Sequence, residues 1–374
     1  MENKEQRGPN PTAKTVNLLI ARAGGRCQFK NCNRNIFLDK FTLTGANNSN
    51  VAHIVASSPN GPRGNERSLE LSDKIENLML MCKEHHHIID HNEKEYTVEI
   101  LQAMKCAQEE KVRKALDYLH AEETTIIYFT SPIKGKFDVA FSRIEAAKAV
   151  LPKMKPDNEF GLSIGVEAKG EYTSPEYWSY ASTWLENGYD CTVRAKLKLC
   201  PDAHFSVFPI APIPLIIKLG YYMGDKIRAD VYQKKRHPDT WKWETEELTN
   251  CFEILKIENE TGSGIAVVVS ITAEINLDAI SKAGSFKTIF ILRSKIQSVD
   301  SIKSQEDLSA FWHKYQELLE LIAHKYEDKI IHVFPAVPVS VAFEMGRRYM
   351  PGVYPKMLLY DRDEAFFETI KIGD

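Results

Sequence analysis

Cys27-Gln-Phe-Lys-Asn-Cys32 and Asn77-Leu-Met-Leu-Met-Cys82-Lys-Glu-His85-His86-His87-Ile-Ile-Asp90 decide how the N-terminal part of this chain folds. Cys27, Cys32, Cys82 and His85 offer three thiolates and an imidazole, a donor set that suits tetrahedral Zn2+. The two halves of the set lie about 50 residues apart, so a bound ion would staple a long loop. Between them His53 stands among apolar neighbours, in Val51-Ala52-His53-Ile54. His86 and Asp90 are four apart, and at helical spacing they face the same way and can hold a second ion.

The elements around these stretches follow from local signals. Residues 12–23 read as a helix stopped by Gly24-Gly25. Residues 35–43 alternate enough for a short strand, and residues 51–55 form the strand that carries His53. Residues 57–65 are a loop rich in Pro and Gly. Residues 74–81 lead into a helix over 82–91, and residues 97–120 give a longer amphipathic helix. After residue 123 strands and helices alternate. Strands are expected at 125–129, 161–166, 191–199 and 205–208, and helices at 137–150 and 175–185, the latter ended by Asn187-Gly188. Such alternation predicts an α/β domain with much parallel sheet.

That C-terminal part contains an internal repeat. Val207-Phe208-Pro209-x2-Pro212, followed by Gly220, recurs as Val333-Phe334-Pro335-x2-Pro338, followed by Gly346, at a constant offset of 126 residues. Each copy reads as an apolar strand, a loop, and a helix opened by the second Pro and ended near the Gly. Strands follow at 226–232 and 353–360. Residues 124–374 therefore divide into two Rossmann-like halves, about 124–245 and 246–374.

The 374 residues suffice for two or three domains, and the composition, 43% hydrophobic and 26% charged, is that of a globular protein. The first eleven residues are polar and no apolar run is long enough to span a bilayer, so neither a leader nor a membrane partner is expected. Seven cysteines, three of them claimed by the metal set, fit a reducing cytoplasm. Net charge is −3, divided as +2 over residues 1–120 and −5 over the rest. One weakly basic module binds a polyanion weakly and gains from presentation in several copies.

The order Cys-x4-Cys, Ala-His-Ile (52–54), Gly-Pro-Arg-Gly (61–64), Asn-Leu, Cys-x2-His-His and Ile-Asp resembles the HNH nucleases across residues 15–118. The resemblance implies an α+β domain, 1–120, of the ββα-metal type with a zinc knuckle. His53 is then the general base, and His86 and Asp90 hold a catalytic divalent ion such as Mg2+. Asn77 either orients the loop of His53 or touches the ion, and His86 joins the catalytic set. Arg63 and Arg67, beside the Gly-rich loop, would grip DNA phosphates. Many HNH proteins have Asp or His before the base as a ligand, whereas this chain has Ala52.

Residues 124–374 resemble the SAVED domain, a fusion of two CARF-like units that senses cyclic oligonucleotides. The carriers are the two Val-Phe-Pro segments, Leu219-Gly220, Tyr232-Gln233 with Arg236, Trp241-x-Trp243, and Glu344-x-Gly346-Arg347. The expected ligand is a cyclic di- or trinucleotide in a pseudo-two-fold cleft at the Pro209 and Pro335 loops. Tyr232 and Trp243 would stack on bases, and Lys234, Arg236 and Arg347 would meet phosphates. Together the two parts resemble the HNH–SAVED effector nucleases of CBASS anti-phage systems. This implies a homo-oligomer, dimer or tetramer, that cuts double-stranded DNA once the messenger binds. The alternative is a restriction-type HNH enzyme whose C-terminal part reads modified or specific DNA.

Overall fold

The computed structural model describes residues 7–39, 41–134, 141–235, 238–326 and 330–373. The chain divides into two compact units, Met1–Ala121 and Glu122–Asp374.

In the first unit, α1 (Ala13–Ala23) begins where the Thr12 hydroxyl accepts the Thr15 N–H, and it ends at Gly24, whose φ of 60° suits glycine. β1 (Ser49–His53) pairs antiparallel with β2 (Leu78–Cys82), with Ser49 opposite Cys82 and His53 opposite Leu78. Between them lie α2 (Ser68–Leu71) and a 3-10 turn, Ile75–Asn77. β2 runs directly into α3 (Lys83–His91), and α4 (Val98–His120) follows, capped by Thr97. Every residue of β2 is buried. This explains why a run of four apolar residues showed no alternation that would mark it as a strand. Among the described residues of 35–43 the expected strand does not form, and they make turns with isolated bridges, Arg26 to Asn35 and Leu38 to Gly45. Leu43 has φ 55°, which no strand accommodates, and the Asp39 carboxylate curls the chain by accepting the Phe41 and Thr42 N–H groups.

The second unit holds two sheets. β3 (Glu122–Thr130), α5 (Arg143–Val150), β4 (Met154–Pro156), β5 (Leu162–Gly165), α6 (Pro175–Tyr189), α7 (Ala195–Leu199), β6 (Phe205–Ile210), α8 (Ile213–Met223) and β7 (Ala229–Val231) make the first half. Its strands lie in the order β4-β3-β6-β7, with β5 also on β3, all parallel. β8 (Phe252–Glu258), β9 (Gly264–Ser270), α9 (Leu277–Ala283), β10 (Phe286–Ser294), α10 (Gln305–Lys325), β11 (Ile331–Ala336), α11 (Val339–Arg347), β12 (Met357–Arg362) and β13 (Phe366–Ile372) make the second. Its order is β13-β12-β11-β9-β10-β8, parallel in the middle and antiparallel at both edges. Parallel pairs need crossover helices, which the alternating sequence supplies. One core, including Trp178, Val207, Leu215, Val267, Val333 and Phe343, serves both sheets.

Two expectations for this unit are corrected. Asn187-Gly188 does not end α6. The helix passes through a π turn, Asp190–Arg194, into α7, so the strand expected at 191–199 is helical. Tyr189 and Val193, both buried, hold that continuation against the core, and tertiary packing overrides the local stop signal. The helix expected at 137–150 begins at Arg143, and residues 137–140 lie outside the described residues.

Each repeated glycine stands near the end of its helix, as expected, Gly346 next to last in α11 and Gly220 three residues before the end of α8, and both also lie where the two helices cross. A Cβ on Gly220 would come within 2.1 Å of the Phe343 carbonyl oxygen and 2.8 Å of the Arg347 nitrogen. A Cβ on Gly346 would come within 1.8 Å of the Ile217 oxygen and 2.8 Å of the Tyr221 nitrogen. Each contact in one direction is the other shifted by the repeat offset of 126 residues, so the crossing is reciprocal. Among the described residues no helix is long and apolar enough to cross a membrane.

Candidate functional site

The knuckle hangs from β2. Gln28 donates its N–H to the Leu80 carbonyl at 2.9 Å, and its side-chain oxygen accepts the Leu80 N–H at 2.7 Å. This hydrogen-bonded pair sets Cys27 against the end of β2, where Cys82 closes the strand and His85 opens the next helix. The ligand atoms of Cys27, Cys32, Cys82 and His85 all lie within 4.8 Å of one another. The Cys27 and Cys82 sulfurs are 3.8 Å apart, and the His85 Nδ1 is 3.6 Å and 3.2 Å from them. A tetrahedron with zinc bond lengths has edges of ~3.8 Å between sulfurs and ~3.6 Å between sulfur and nitrogen. Cys27, Cys82 and His85 therefore stand at distances that suit three corners of one tetrahedral ion, and Cys32 is near enough to offer the fourth. Burial pushes the Cys27 thiol well up, against lowering hydrogen bonds from the Cys82 and Phe29 backbone. A sulfur so placed ionises when a cation lies against it. Phe29 stacks on the His85 ring at 4.1 Å and 4°, fixing its plane.

A second group lies nearby. His53, at the end of β1, and His86 and Asp90, one turn apart on α3, line one cavity of about 390 Å³ with Arg7, Val51 and Ser57. His53 Nε2 is 3.0 Å from the Ser72 carbonyl oxygen. A carbonyl oxygen only accepts, so Nε2 carries the hydrogen and Nδ1 keeps the lone pair. Burial chiefly lowers the pKa of His53. Arg7 and His86 lower it further, while the Ser72 bond and Asp90 oppose them. The imidazole is therefore held neutral. Ala52, by strand alternation, points the other way and is fully buried in the core, so its position faces away from His53.

His86 Nε2 is 3.2 Å from Asp90 Oδ2. Two ligands at adjacent corners of an octahedron with ~2.1 Å bonds stand ~3.0 Å apart, so this pair fits a hard divalent ion. Burial alone would raise the Asp90 carboxyl, but hydrogen bonds from His86 and Arg63 outweigh it and hold it below its usual range. Asn77 is buried and its amide is spent on backbone groups. Oδ1 accepts the Val55 N–H at 2.8 Å, and Nδ2 donates to the Val55 and Leu71 carbonyls. It thereby clamps the chain leaving His53 and does not line the cavity of His53, His86 and Asp90.

Arg63, expected on DNA phosphates, is turned inward, and that expectation is corrected. Its side chain is 5% exposed, and its donors go to the carbonyls of Ile54 (2.7 Å) and Ile89 (2.6 Å) and to Asp90 Oδ1 (2.9 Å). Arg67 is exposed and pairs with Glu70. His87 and His91 are exposed, with rings 3.8 Å apart.

In the second unit the largest described cavity, about 670 Å³, is lined by Tyr232, Trp243, Lys153, Lys242 and Gln305 among others. A smaller one of about 270 Å³, which shares Gln305 and Glu306 with it, is lined by Arg347, Arg348 and Trp312. Tyr232 is largely core, stacked on Phe208 at 4.5 Å, and Trp243 is half-buried on the cavity wall. Pro209 and Pro335 are not on loops at all. They sit inside β6 and β11, paired with Phe129 and Val269, and line neither cavity. The start of α11 is also occupied, because Gln233 Oε1 accepts from the Ser340 N–H and hydroxyl. Lys234 lies over the Trp241 ring and pairs with Asp239, away from both cavities. Arg236 lies outside the described residues.

Residues 192–372 match the family described as "SAVED: SMODS-associated and fused to various effectors sensor domain". Among solved structures the chain is similar to the Acinetobacter baumannii Cap4 SAVED/CARF-domain containing receptor with the cyclic trinucleotide 2'3'3'-cAAA. It is 12% identical, with a TM-score of 0.43, over 77% of this chain and 60% of that one. A further structure of the Acinetobacter baumannii Cap4 SAVED/CARF-domain containing receptor is 11% identical, with a TM-score of 0.41, over 83% and 66%. The Moraxella osloensis Cap4 receptor is 13% identical, with a TM-score of 0.39, over 73% and 54%. The chain thus spans less than two thirds of the length of these receptors. No curated protein matches it.

Proposed function

We propose that this chain is a metal-dependent DNA endonuclease of the HNH type, switched on by a cyclic oligonucleotide that its C-terminal unit senses. The observation that carries the reading is the shared cavity of His53, His86 and Asp90, with the His53 lone pair on Nδ1. His53 Nδ1 takes a proton from water as the water oxygen attacks the phosphorus of a phosphodiester. The bond from phosphorus to the 3′ oxygen breaks, and that oxygen collects a proton from solvent. His86 and Asp90 would hold a divalent ion, which would supply positive charge against the phosphate and the leaving oxygen. Asn77 and Ser72 hold the base in place, one through the Val55 backbone and one through Nε2. The β1–β2 pair followed by α3 supports the HNH reading of the fold.

For the sensor, the SAVED match over residues 192–372 supports a cyclic oligonucleotide as ligand. The cavity bearing Tyr232, Trp243 and Lys153, beside that of Arg347, has the size and the aromatic and basic groups for it. Binding there drives assembly into a homo-oligomer, which places several weakly basic nuclease modules on one duplex.

The test is plasmid DNA incubated with the protein and Mg2+, with and without a panel of cyclic di- and trinucleotides. Cleavage only with a cyclic nucleotide is expected, and equal cleavage in all tubes removes the switch. His53→Ala lowers the activated rate by about 10²–10⁴-fold, the usual contribution of a positioned base. Retained cleavage would place the chemistry elsewhere.

The pH dependence follows from the direction of the His53 shift. Only the neutral ring is a base, and burial makes protonation harder, so the acid loss of rate moves below the ordinary midpoint of 6.5. Single-turnover cleavage at saturating ion is expected to fall tenfold per unit on the acid side, with a midpoint below 6.5. A midpoint above 6.5 would contradict this.

A further inference from the structure

We infer that Asn50 and Arg63 are positioning residues that hold the two ion ligands from behind, Asn50 on His86 and Arg63 on Asp90. The inference rests on reading His86 and Asp90 as the ligands of the divalent ion. Asn50 lies on β1, and its Nδ2 is 3.0 Å from His86 Nδ1. With the amide nitrogen donating there, His86 Nδ1 accepts and Nε2 carries the ring hydrogen, which points at Asp90 Oδ2. That is a self-consistent arrangement for the ion-free protein. To bind an ion through Nε2, His86 must carry its hydrogen on Nδ1 instead. A half-turn of the Asn50 amide presents Oδ1 to that hydrogen. A neighbour able both to donate and to accept thus serves both states, and few side chains can.

Arg63 does the matching task for the carboxylate. It takes Asp90 Oδ1 at 2.9 Å and leaves Oδ2 facing His86 Nε2. The same guanidinium is anchored on the carbonyls of Ile54 and Ile89, so Asp90 is located against both the end of β1 and α3. Arg63 holds φ at 55°, an uncommon conformation that its buried hydrogen bonds offset. Partners behind metal ligands fix ring orientation and tautomer, and their loss typically weakens metal affinity 10–100-fold.

Because Arg63 is buried, its removal confounds folding with ion binding, so Asn50 carries the test. Mn2+ binding to the full chain is titrated calorimetrically, without DNA, for wild type, Asn50→Leu, Asn50→Asp and His86→Ala. Asn50→Leu is expected to weaken Mn2+ binding 10–100-fold with zinc content and melting temperature unchanged. If it lowers the melting temperature, Asn50→Ala replaces it. Asn50→Asp, which can accept the Nδ1 hydrogen, keeps the affinity at or above that of wild type. Nitrogen spectra of the His86 ring give a second readout. The hydrogen is expected on Nε2 without ion and on Nδ1 with Mg2+ in wild type, and on Nδ1 with Mg2+ in Asn50→Asp. Wild-type affinity in Asn50→Leu together with lost binding in His86→Ala overturns the inference alone. Wild-type binding in His86→Ala overturns the ion site itself.

Discussion

Cys82→Ser is expected to release the knuckle ion and unfold the N-terminal unit while residues 122–374 stay folded. Cys82 ends the buried strand β2, caps α3, and stands within 3.8 Å of the Cys27 sulfur and 3.2 Å of His85. Serine keeps the shape but supplies no thiolate. Structural zinc contributes on the order of 10–16 kcal/mol to the folding of small metal-bound modules. A unit of this size has roughly 5–15 kcal/mol of total stability. Losing the ion therefore removes as much as the unit has. Calorimetry of the full chain should show the N-terminal transition gone and the C-terminal one unmoved, with zinc falling from one per chain to none. A chelator should do the same to wild type. Two intact transitions in Cys82→Ser would mean that the four donors are ordinary buried residues.

The second large effect is expected from a single methyl group. Gly346→Ala places a Cβ 1.8 Å from a backbone oxygen of the facing helix, where no rotamer change relieves it. The helices must separate by more than 1 Å, and the core on either side loses its fit. Overpacking costs typically 1–3 kcal/mol and more where backbone meets backbone, so about 3 kcal/mol or above is expected. For a unit of about 250 residues that lowers the melting temperature by roughly 6–12 °C. Gly220→Ala should behave alike, because its surroundings are the same shifted by one repeat. Gly165→Ala is the control. It has nothing within 4 Å and no left-handed φ, and it should stay within about 0.5 kcal/mol of wild type. Equal melting of all three would mean that the helices slide freely at the crossing.

What could be read from the residues was local or repeated. Thr12, Gly24 and Thr97 mark helix ends through hydrogen bonds to near neighbours, so their signals survive without tertiary knowledge. Cys27, Cys32, Cys82 and His85 carry chemistry so restricted that spacing alone groups them, and the structure brings all four together. The repeat revealed two halves and a glycine near the end of each repeated helix, but not the crossing those glycines permit, because a sequence shows a missing side chain but not the partner that needs the space. Residues whose roles depend on distant partners stayed hidden. Asn50 is 36 positions from His86. Arg63 had the composition of a phosphate grip, but four carbonyl and carboxylate oxygens surround its guanidinium. Pro209 and Pro335 suggested loops, since proline lacks a donor, yet each occupies the last turns of a parallel strand where that donor is not required.

The matched glycines at the helix crossing have an evolutionary consequence. Two separate subunits meeting across such a contact must be identical everywhere, since any change in one appears in the other. Joined in one polypeptide, they need to agree only at the crossing itself, and each may drift elsewhere. Among the described residues the two sheets are unequal, five strands against six, as such drift allows. Two halves freed from self-identity can present two different faces.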